Sequence, residues 1–336
     1  MRTTVSPRPP TPSPAVEWAV ATLKSRGLVK YAPQGLRRWK RRVFGPDESA
    51  EARAASHWDQ QQAVESIYWT QHPLITQYVN VLVTGVPWLF PTQGLKAGWA
   101  YLPLKRGLSL GCGTGELERD IYRQHICDRM DAYDISPASL ATARKLSRDE
   151  GNRTVRYLRG DFNEITLPSE RYDIVFFHGS LHHVADPDRL LAEVHRSLKP
   201  HGLVYVDEYV GPSRDEWTDE DMKHVREEFR QIDDALKLRA PNPPVVFEDP
   251  SEMIRSSRIV PALREKFEVL HYKPYWGNLL FPLFCCLDGT ELLKPDRETL
   301  VRRLIEREQE LVAGGEFVDP LYAVMLCRKT NLQPRS

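Results

Sequence analysis

The chain has 336 residues, 41% of them hydrophobic and 27% charged, with 46 basic and 46 acidic side chains and a formal net charge of zero. That balance gives no whole-molecule attraction to nucleic acid, and no segment has the length or apolarity expected of a membrane span or a signal core. Five cysteines, an odd number without CxxC spacing, support neither a disulfide framework nor a metal-ligand pattern, so no metal is expected. They read as reduced, mostly buried thiols of a cytoplasmic protein.

In chain order, residues 1–14 hold five prolines without hydrophobic periodicity and read as a disordered tail. Residues 15–100 are expected to form a helical N-terminal lid. Its basic segment, 18–46, carries eight Lys or Arg and no acid. Such a run suits either a weak peripheral contact with anionic lipid or a phosphorylated acceptor, or the solvated face of an amphipathic helix. A helix is expected over 48–85, with Trp58, Ile67, Tyr68 and Trp69 able to cover a cleft, followed by a proline-bounded loop at 86–91.

The most informative stretch is LSLGCGTGELE, residues 108–118. A short apolar run breaks into glycines at 111, 113 and 115, and an amphipathic helical pattern starts at Glu116. This is a strand, a tight turn and a helix N-terminus, with no side chains to keep a ligand off the turn backbone. A second strand, 130–135, carries Asp134 at its end, where a carboxylate can hold a ribose diol. Together these point to a nucleoside-containing cofactor. The spacing is G-x-G-x-G followed by an acid, in place of the G-x-G-x-x-G of dinucleotide sites. A carboxylate is a poor neighbour for a pyrophosphate and a tolerable one for an ammonium and a sulfonium. The details therefore favour S-adenosylmethionine over NAD.

Further along, Ser136-Pro137 reads as an N-cap followed by the first residue of a helix over 138–148. A third strand, 155–159, ends at Gly160-Asp161-Phe162. Residues 172–177 form an apolar run suited to a strand covered on both faces, with Ser180-Leu-His-His-Val184 just beyond it. A helix over 187–198 meets a stop at Lys199-Pro200-His201-Gly202, and 203–207 is the fifth strand. One cap insertion is expected at about 212–250, with a helix from 215 to about 239. A helix over 251–267, interrupted at Pro261, leads into a strand at 267–271. A second insertion at about 278–315 contains the apolar patch 279–287, read as core, and 322–327 is the last strand.

These motifs in this order (LSLGCGTGELE, DAYDISPASLATAR, GDFNEI, YDIVFFHGSLHHV and LKPHGLVYVDEYVGP) resemble the successive motifs of the class I S-adenosylmethionine-dependent methyltransferases. Tyr68-Trp69, His72-Pro73, Glu208-Tyr-Val-Gly-Pro212 and Ser256-Ser257-Arg258 also resemble a bacterial subgroup associated with polysaccharide and secondary-metabolite gene neighbourhoods. The resemblance implies an α/β fold: a seven-stranded Rossmann-like methyltransferase sheet over 101–330 with a helical N-terminal lid and an inserted helical cap. It implies S-adenosyl-L-methionine as cofactor. Backbone N–H groups around Gly111, Cys112, Gly113 and Gly115 would face the methionine part and Asp134 the ribose. Ile135 would pack on the adenine, Asp161 would accept from its amino group with Phe162 alongside, and His178 and Gly179 would wall the sulfonium. His178 departs from the family, which usually has a small or amide residue there. Asp173, at a strand start, reads as structural.

Transfer to a hydroxyl needs a proton acceptor, and histidine is the natural choice. His182 and His183 lie just beyond the fourth strand. His183 is placed ahead because its position resembles that of a histidine in several small-molecule methyltransferases. Tyr68, His72, Glu208, Tyr209 and Arg214 are weaker candidates for contacts with the acceptor. The expected acceptor is an oxygen of a sugar or natural-product scaffold. Alternatives are carbon or nitrogen of a lipid, quinone or metabolite, and, in another class, a non-catalytic S-adenosylmethionine binder or an NAD-linked oxidoreductase. Nucleic acid is not expected, because Gly179-Ser-Leu-His182 occupies the place of the Asn/Asp-Pro-Pro-Tyr/Phe tetrad of amino-directed enzymes. The sequence reads no oligomeric state.

Overall fold

The computed structural model describes residues 67–246 and 249–330. The proline-rich tail, the basic segment, Trp58 and most of the expected lid lie outside the described residues. In chain order the main elements are α1 (Pro73–Thr84), β1 (Leu104–Leu110), α2 (Glu116–Arg123), β2 (Cys127–Asp134), α3 (Pro137–Asp149), β3 (Val155–Arg159), β4 (Tyr172–His178), α4 (Pro187–Ser197) and β5 (Leu198–Tyr209). They continue with α5 (Lys223–Gln231), α6 (Ile259–Lys266), β6 (Phe267–Trp276), α7 (Leu280–Phe284), α8 (Gly289–Leu292), α9 (Glu298–Ala313) and β7 (Tyr322–Lys329).

The strands form one seven-stranded sheet in the order β3-β2-β1-β4-β5-β7-β6. Strands β1 to β5 pair in parallel, and β7 runs antiparallel to both β5 and β6. This is the Rossmann-like methyltransferase sheet that the motifs imply. The strand order reverses between β1 and β4, and in such sheets the crevice beyond the carboxyl ends at that point receives the ligand. The glycine loop leaves β1 there, and the histidine segment leaves β4 beside it.

Several elements differ from expectation for local reasons. No helix opens at Asp215: Glu216 accepts from Ser213 N and Asp221 accepts from both the N–H and the hydroxyl of Thr218. These side-chain turns compete with helical hydrogen bonding, so the cap helix is only α5. Pro261 does not interrupt α6. It sits in the first turn, where a missing N–H leaves no intrahelical bond unmade. Strand β5 starts at Leu198, before the expected stop, and the stop residues are absorbed as a register shift between Tyr172↔Leu198 and Ile174↔Leu203. His201 takes a positive φ of 62° within it.

The apolar patch 279–287 is core, as expected, with Leu279, Leu280 and Leu283 fully buried. Glu308 of α9 supports it by accepting from the N–H groups of Gly277, Leu279 and Leu280. Trp69 is also core. It packs on Tyr275, Tyr322 and Phe281 at the β6–β7 side of the sheet, so it does not cover the cleft. No helix among the described residues is long and apolar enough to cross a membrane.

Candidate active site

The three loop glycines all have positive φ, at 77°, 50° and 75° for Gly111, Gly113 and Gly115, a region that side chains disfavour. They serve different purposes. A Cβ on Gly111 would lie 2.4 Å from Ser180 Cβ, and one on Gly115 would lie 2.6 Å from Tyr157 Oη. Those two positions are glycine because the fold closes on them. A Cβ on Gly113 would meet nothing within 4 Å, so Gly113 faces open space where a ligand can approach.

The N–H groups of this loop are mostly satisfied within the protein, which corrects one expectation. Gly111 and Cys112 donate to Tyr133 O at 2.8 and 3.0 Å, Gly113 to Asp134 Oδ2 at 2.8 Å, and Gly115 to Cys112 O at 2.9 Å. A loop that spends its donors internally is no anion cradle, which disfavours a pyrophosphate and suits a cationic ligand. Burial pushes the Cys112 thiol far above its usual range, so it lines the loop as an apolar group.

Asp134 accepts from Gly113 N and, through Oδ1, from Ser136 N at 2.8 Å. It thereby ties the glycine loop to the start of α3. Ile135 is half-buried beside it. Asp161 closes an Asx turn by accepting from Asn163 N at 2.7 Å. The edge of the Phe162 ring flanks the glycine loop, 3.4 Å from the Cβ position of Gly111. His178 is exposed at the end of β4, with Nε2 3.7 Å from Asp207 Oδ2, and Gly179 follows with φ 59° and open space around it. Asp173 is structural as expected, accepting from Arg106 N and from Lys199.

Glu118 was not singled out from sequence. It shares the buried face of α2 with Leu117 and Ile121, and neither carboxylate oxygen has a hydrogen-bond partner among the described residues. Burial pushes its carboxyl up to about 7, and it is close enough to Cys112 to raise the thiol further. The available signal was an acid on the apolar face of an amphipathic helix directly after a ligand loop. Ser109 and the His178 charge offset that burial only in part, and a buried carboxyl group beside the glycine loop fits a ligand that carries an ammonium. With the open face of Gly113 and the Asp134 carboxylate, these residues fit S-adenosylmethionine.

Beyond β4, Leu181–His183 forms a 3-10 turn, which Glu208 builds from inside. Its buried carboxylate accepts from Ser180 N at 2.7 Å, Leu181 N at 2.6 Å and Tyr209 N at 2.8 Å, and meets His182 Nδ1 at 2.5 Å. Ser180 Oγ donates to Leu110 O at 2.7 Å, which joins this turn to the end of β1. Glu208 is therefore the carboxylate that orients His182. His182, and not His183, is the histidine so oriented. Burial alone would lower the proton affinity of His182, but Glu208, with Glu252 and Asp249 behind it, raises its pKa to about 9. His183 packs against the loop at 249–252, with Nδ1 3.1 Å from Ser251 Oγ.

The other residues expected to contact the acceptor also make contacts within the protein. Arg214 clamps that same loop by donating to the carbonyls of Asp249 and Pro250 at 3.2 Å. Tyr209 is buried, its hydroxyl donating to Pro212 O and its ring lying edge-on to His182. His72 is buried with Nε2 3.1 Å from Leu292 O, pinning the start of α1 to the second insertion. The Tyr68 hydroxyl is 2.5 Å from that of Tyr322. Arg258 of the Ser-Ser-Arg motif pairs with Asp188 at the start of α4.

Residues 108–206 match the family described as a methyltransferase domain. An uncharacterized protein of Synechococcus sp. is 28% identical over 187 residues, covering 49% of this chain and 41% of that protein. The ubiquinone/menaquinone biosynthesis C-methyltransferase UbiE of Vibrio campbellii is 32% identical over 116 residues, covering 34% of this chain and 44% of the relative. The chain thus spans less than half the length of both curated relatives. Phosphoethanolamine N-methyltransferase 2 of Haemonchus contortus, in complex with S-adenosyl-L-methionine, is 17% identical with a TM-score of 0.49, covering 85% of this chain and 61% of that one. Residues 108–206 thus match a methyltransferase domain, and with the glycine loop and sheet described above this part of the chain is similar to the class I S-adenosylmethionine-dependent methyltransferases.

Proposed function

We propose that the chain transfers a methyl group from S-adenosylmethionine to an oxygen of a small molecule, a sugar or natural-product scaffold. The observation that carries the oxygen assignment is the His182–Glu208 pair, held by Ser180 against the end of β1 beside the glycine loop. The bound donor supplies an electrophilic methyl on a sulfonium. The protein's tasks are to line up acceptor and methyl, exclude water and receive a proton. Orientation of this kind contributes roughly 7–11 kcal/mol to lowering a barrier.

In the transfer, the acceptor oxygen bonds to the methyl carbon and the carbon–sulfur pair stays on sulfur. The hydroxyl proton passes to His182 Nε2. Glu208, fixed by three backbone N–H groups, stabilises the imidazolium that results, so His182 in its neutral form is a strong acceptor for that proton. Glu118 and the Asp134 carboxylate favour a donor with a positive amino-acid tail over a dinucleotide.

Transfer to a ring carbon of a quinone is the second reading, favoured by the likeness to UbiE over 116 residues. Calorimetry with S-adenosylhomocysteine, followed by an acceptor screen read by mass spectrometry, tests both. The proposal expects saturable binding and a 14-dalton gain on a hydroxyl acceptor (about one CH₂), lost in His182→Ala. No heat with the cofactor product defeats the methyl-transfer reading. Full turnover by His182→Ala on a hydroxyl acceptor defeats the assignment of the base.

A further inference from the structure

The pocket behind His182 holds more negative charge than methyl transfer uses. Glu208, Asp249 and Glu252 bring three carboxylates against two imidazoles. Asp249 is fully buried, and its Oδ2 has no hydrogen-bond partner among the described residues. One ligand atom from each of His182, His183 and Glu252 lies within 4.8 Å of the other two.

We propose that this cluster binds a divalent first-row transition-metal ion through His182 Nε2, His183 Nδ1 and Glu252, with Asp249 as a fourth ligand. Three edges of that polyhedron are 3.9 Å from His182 Nε2 to Glu252 Oε2, 3.8 Å from His183 Nδ1 to Glu252 Oε2, and 3.6 Å from His183 Nδ1 to Asp249 Oδ2. A tetrahedral ion with bonds of about 2.1 Å needs edges of about 3.4 Å. Along these three edges closure asks for contractions of about 0.2–0.5 Å, with the ion replacing the contact between His183 Nδ1 and Ser251 Oγ.

The surroundings of His182 support ligation independently of those distances. Its Nδ1 is committed to Glu208, which fixes the tautomer and leaves Nε2 to bind, the arrangement in which a carboxylate orients a metal-bound imidazole. Glu208 is itself fixed by Ser180 N, Leu181 N and Tyr209 N. Arg214 and the Ser251 turn hold Asp249 and Glu252 in place, Asp249 Oδ1 accepting from Ser251 N at 2.8 Å and Ser251 Oγ at 2.6 Å. A set of two nitrogens and two carboxylates selects zinc, manganese, iron(II) or cobalt over magnesium or calcium, which take all-oxygen shells.

An ion on Nε2 and a proton on Nε2 exclude each other. The ion therefore competes with the proton that methyl transfer places on Nε2, and bound Zn2+ should inhibit the transfer. Only that consequence rests on the methyl-transfer reading; whether the ion binds does not.

The test uses the full-length protein, stripped with a chelator and dialysed. Co2+ is followed by visible absorption, and Zn2+ and S-adenosylhomocysteine by calorimetry in separate titrations. The expected result is one equivalent of Co2+ with nitrogen/oxygen d–d bands and saturable Zn2+ binding. Glu252→Gln and His183→Asn should weaken Zn2+ at least tenfold, and Glu208→Gln about 10–100-fold. Each variant is required to melt cooperatively and keep its affinity for S-adenosylhomocysteine within about threefold.

No saturable Zn2+ binding overturns the inference. So does binding untouched by Glu252→Gln and His183→Asn, or an intense thiolate charge-transfer band, which would mean cysteine ligation. A melting temperature raised by an organic ammonium ion but not by Zn2+ also overturns it, assigning the carboxylates to a cationic acceptor. If S-adenosylhomocysteine binds and Zn2+ does not, the metal site falls and the methyl-transfer reading stands; the reverse result fells the methyl-transfer reading alone.

Discussion

Two loops meet at the mouth of the sheet, and they are built in opposite ways. The glycine loop after β1 closes on partners close by in sequence: Gly113 binds Asp134, 21 residues on, and Asp134 binds Ser136. The histidine turn after β4 is assembled from far away. His182 meets Glu208 from the end of β5, His183 meets Ser251 68 positions on, and Ser180 meets Leu110 70 positions back. The first is a local backbone device for holding a ligand closely. The second is a convergence of buried charges that only the packed sheet and cap can produce.

If the two are separable, changing one should leave the other intact. The largest effect is expected for Glu208→Gln, which removes the charge that orients His182. Methyl transfer should fall about 10²–10⁴-fold, while calorimetric affinity for S-adenosylhomocysteine stays within about threefold. Equal losses of turnover and cofactor affinity would show that the loops act as one unit.

Next are the glycines. Gly111→Ala drives a Cβ to 2.4 Å from Ser180 at φ 77° and should destabilise the fold by about 2–4 kcal/mol in urea unfolding. Gly113→Ala meets no protein atom. It should cost about 1 kcal/mol of stability yet weaken S-adenosylhomocysteine at least tenfold. If Gly113→Ala leaves affinity unchanged, the open face of Gly113 is not the ligand's side of the loop.

Glu118 gives a pH signature to the local half. Its carboxyl is raised to about 7 in the folded protein from an ordinary 4.5, so the folded state binds more protons than the unfolded one. The stability it contributes is fully present below about 4.5 and is lost as pH rises through about 7, an effect on the order of 1–3 kcal/mol. Glu118→Gln should flatten the fall in stability between pH 4.5 and 8 as read by chemical denaturation. A variant with the wild-type slope would assign that fall to other groups. The smallest effect is expected for His178→Ala: His178 is exposed, so stability should change by no more than about 0.5 kcal/mol. A threefold or greater loss of cofactor affinity would place its side chain against the ligand.

Legibility in the sequence followed the same division. Strands β3 and β4 and helices α2 and α3 were readable because each has its own period, cap and stop, as where Ser136 Oγ accepts from Ser139 N at the start of α3. The cap was misread as one long helix because acids at 215–221 look like a favourable first turn, whereas their side chains close turns with Ser213 and Thr218. Glu208 reads locally as one more residue of an apolar strand end. Its role comes from β4 lying beside β5, which brings the N–H groups of Ser180 and Leu181 and an imidazole to its carboxylate. Glu252 and Asp249 were invisible as site residues for the same reason.

From the amino-acid order alone follow the α/β plan and the glycine turn after β1, because these depend on hydrogen bonds and φ preferences within a few tens of residues. The tertiary structure decided which histidine is oriented, which groups Arg214, His72 and Tyr209 bond, and that three carboxylates gather at two imidazoles. Those are matters of distance between segments remote in the chain. Burial, which sets how strongly charges there act on one another, exists only once the sheet and cap have closed over them.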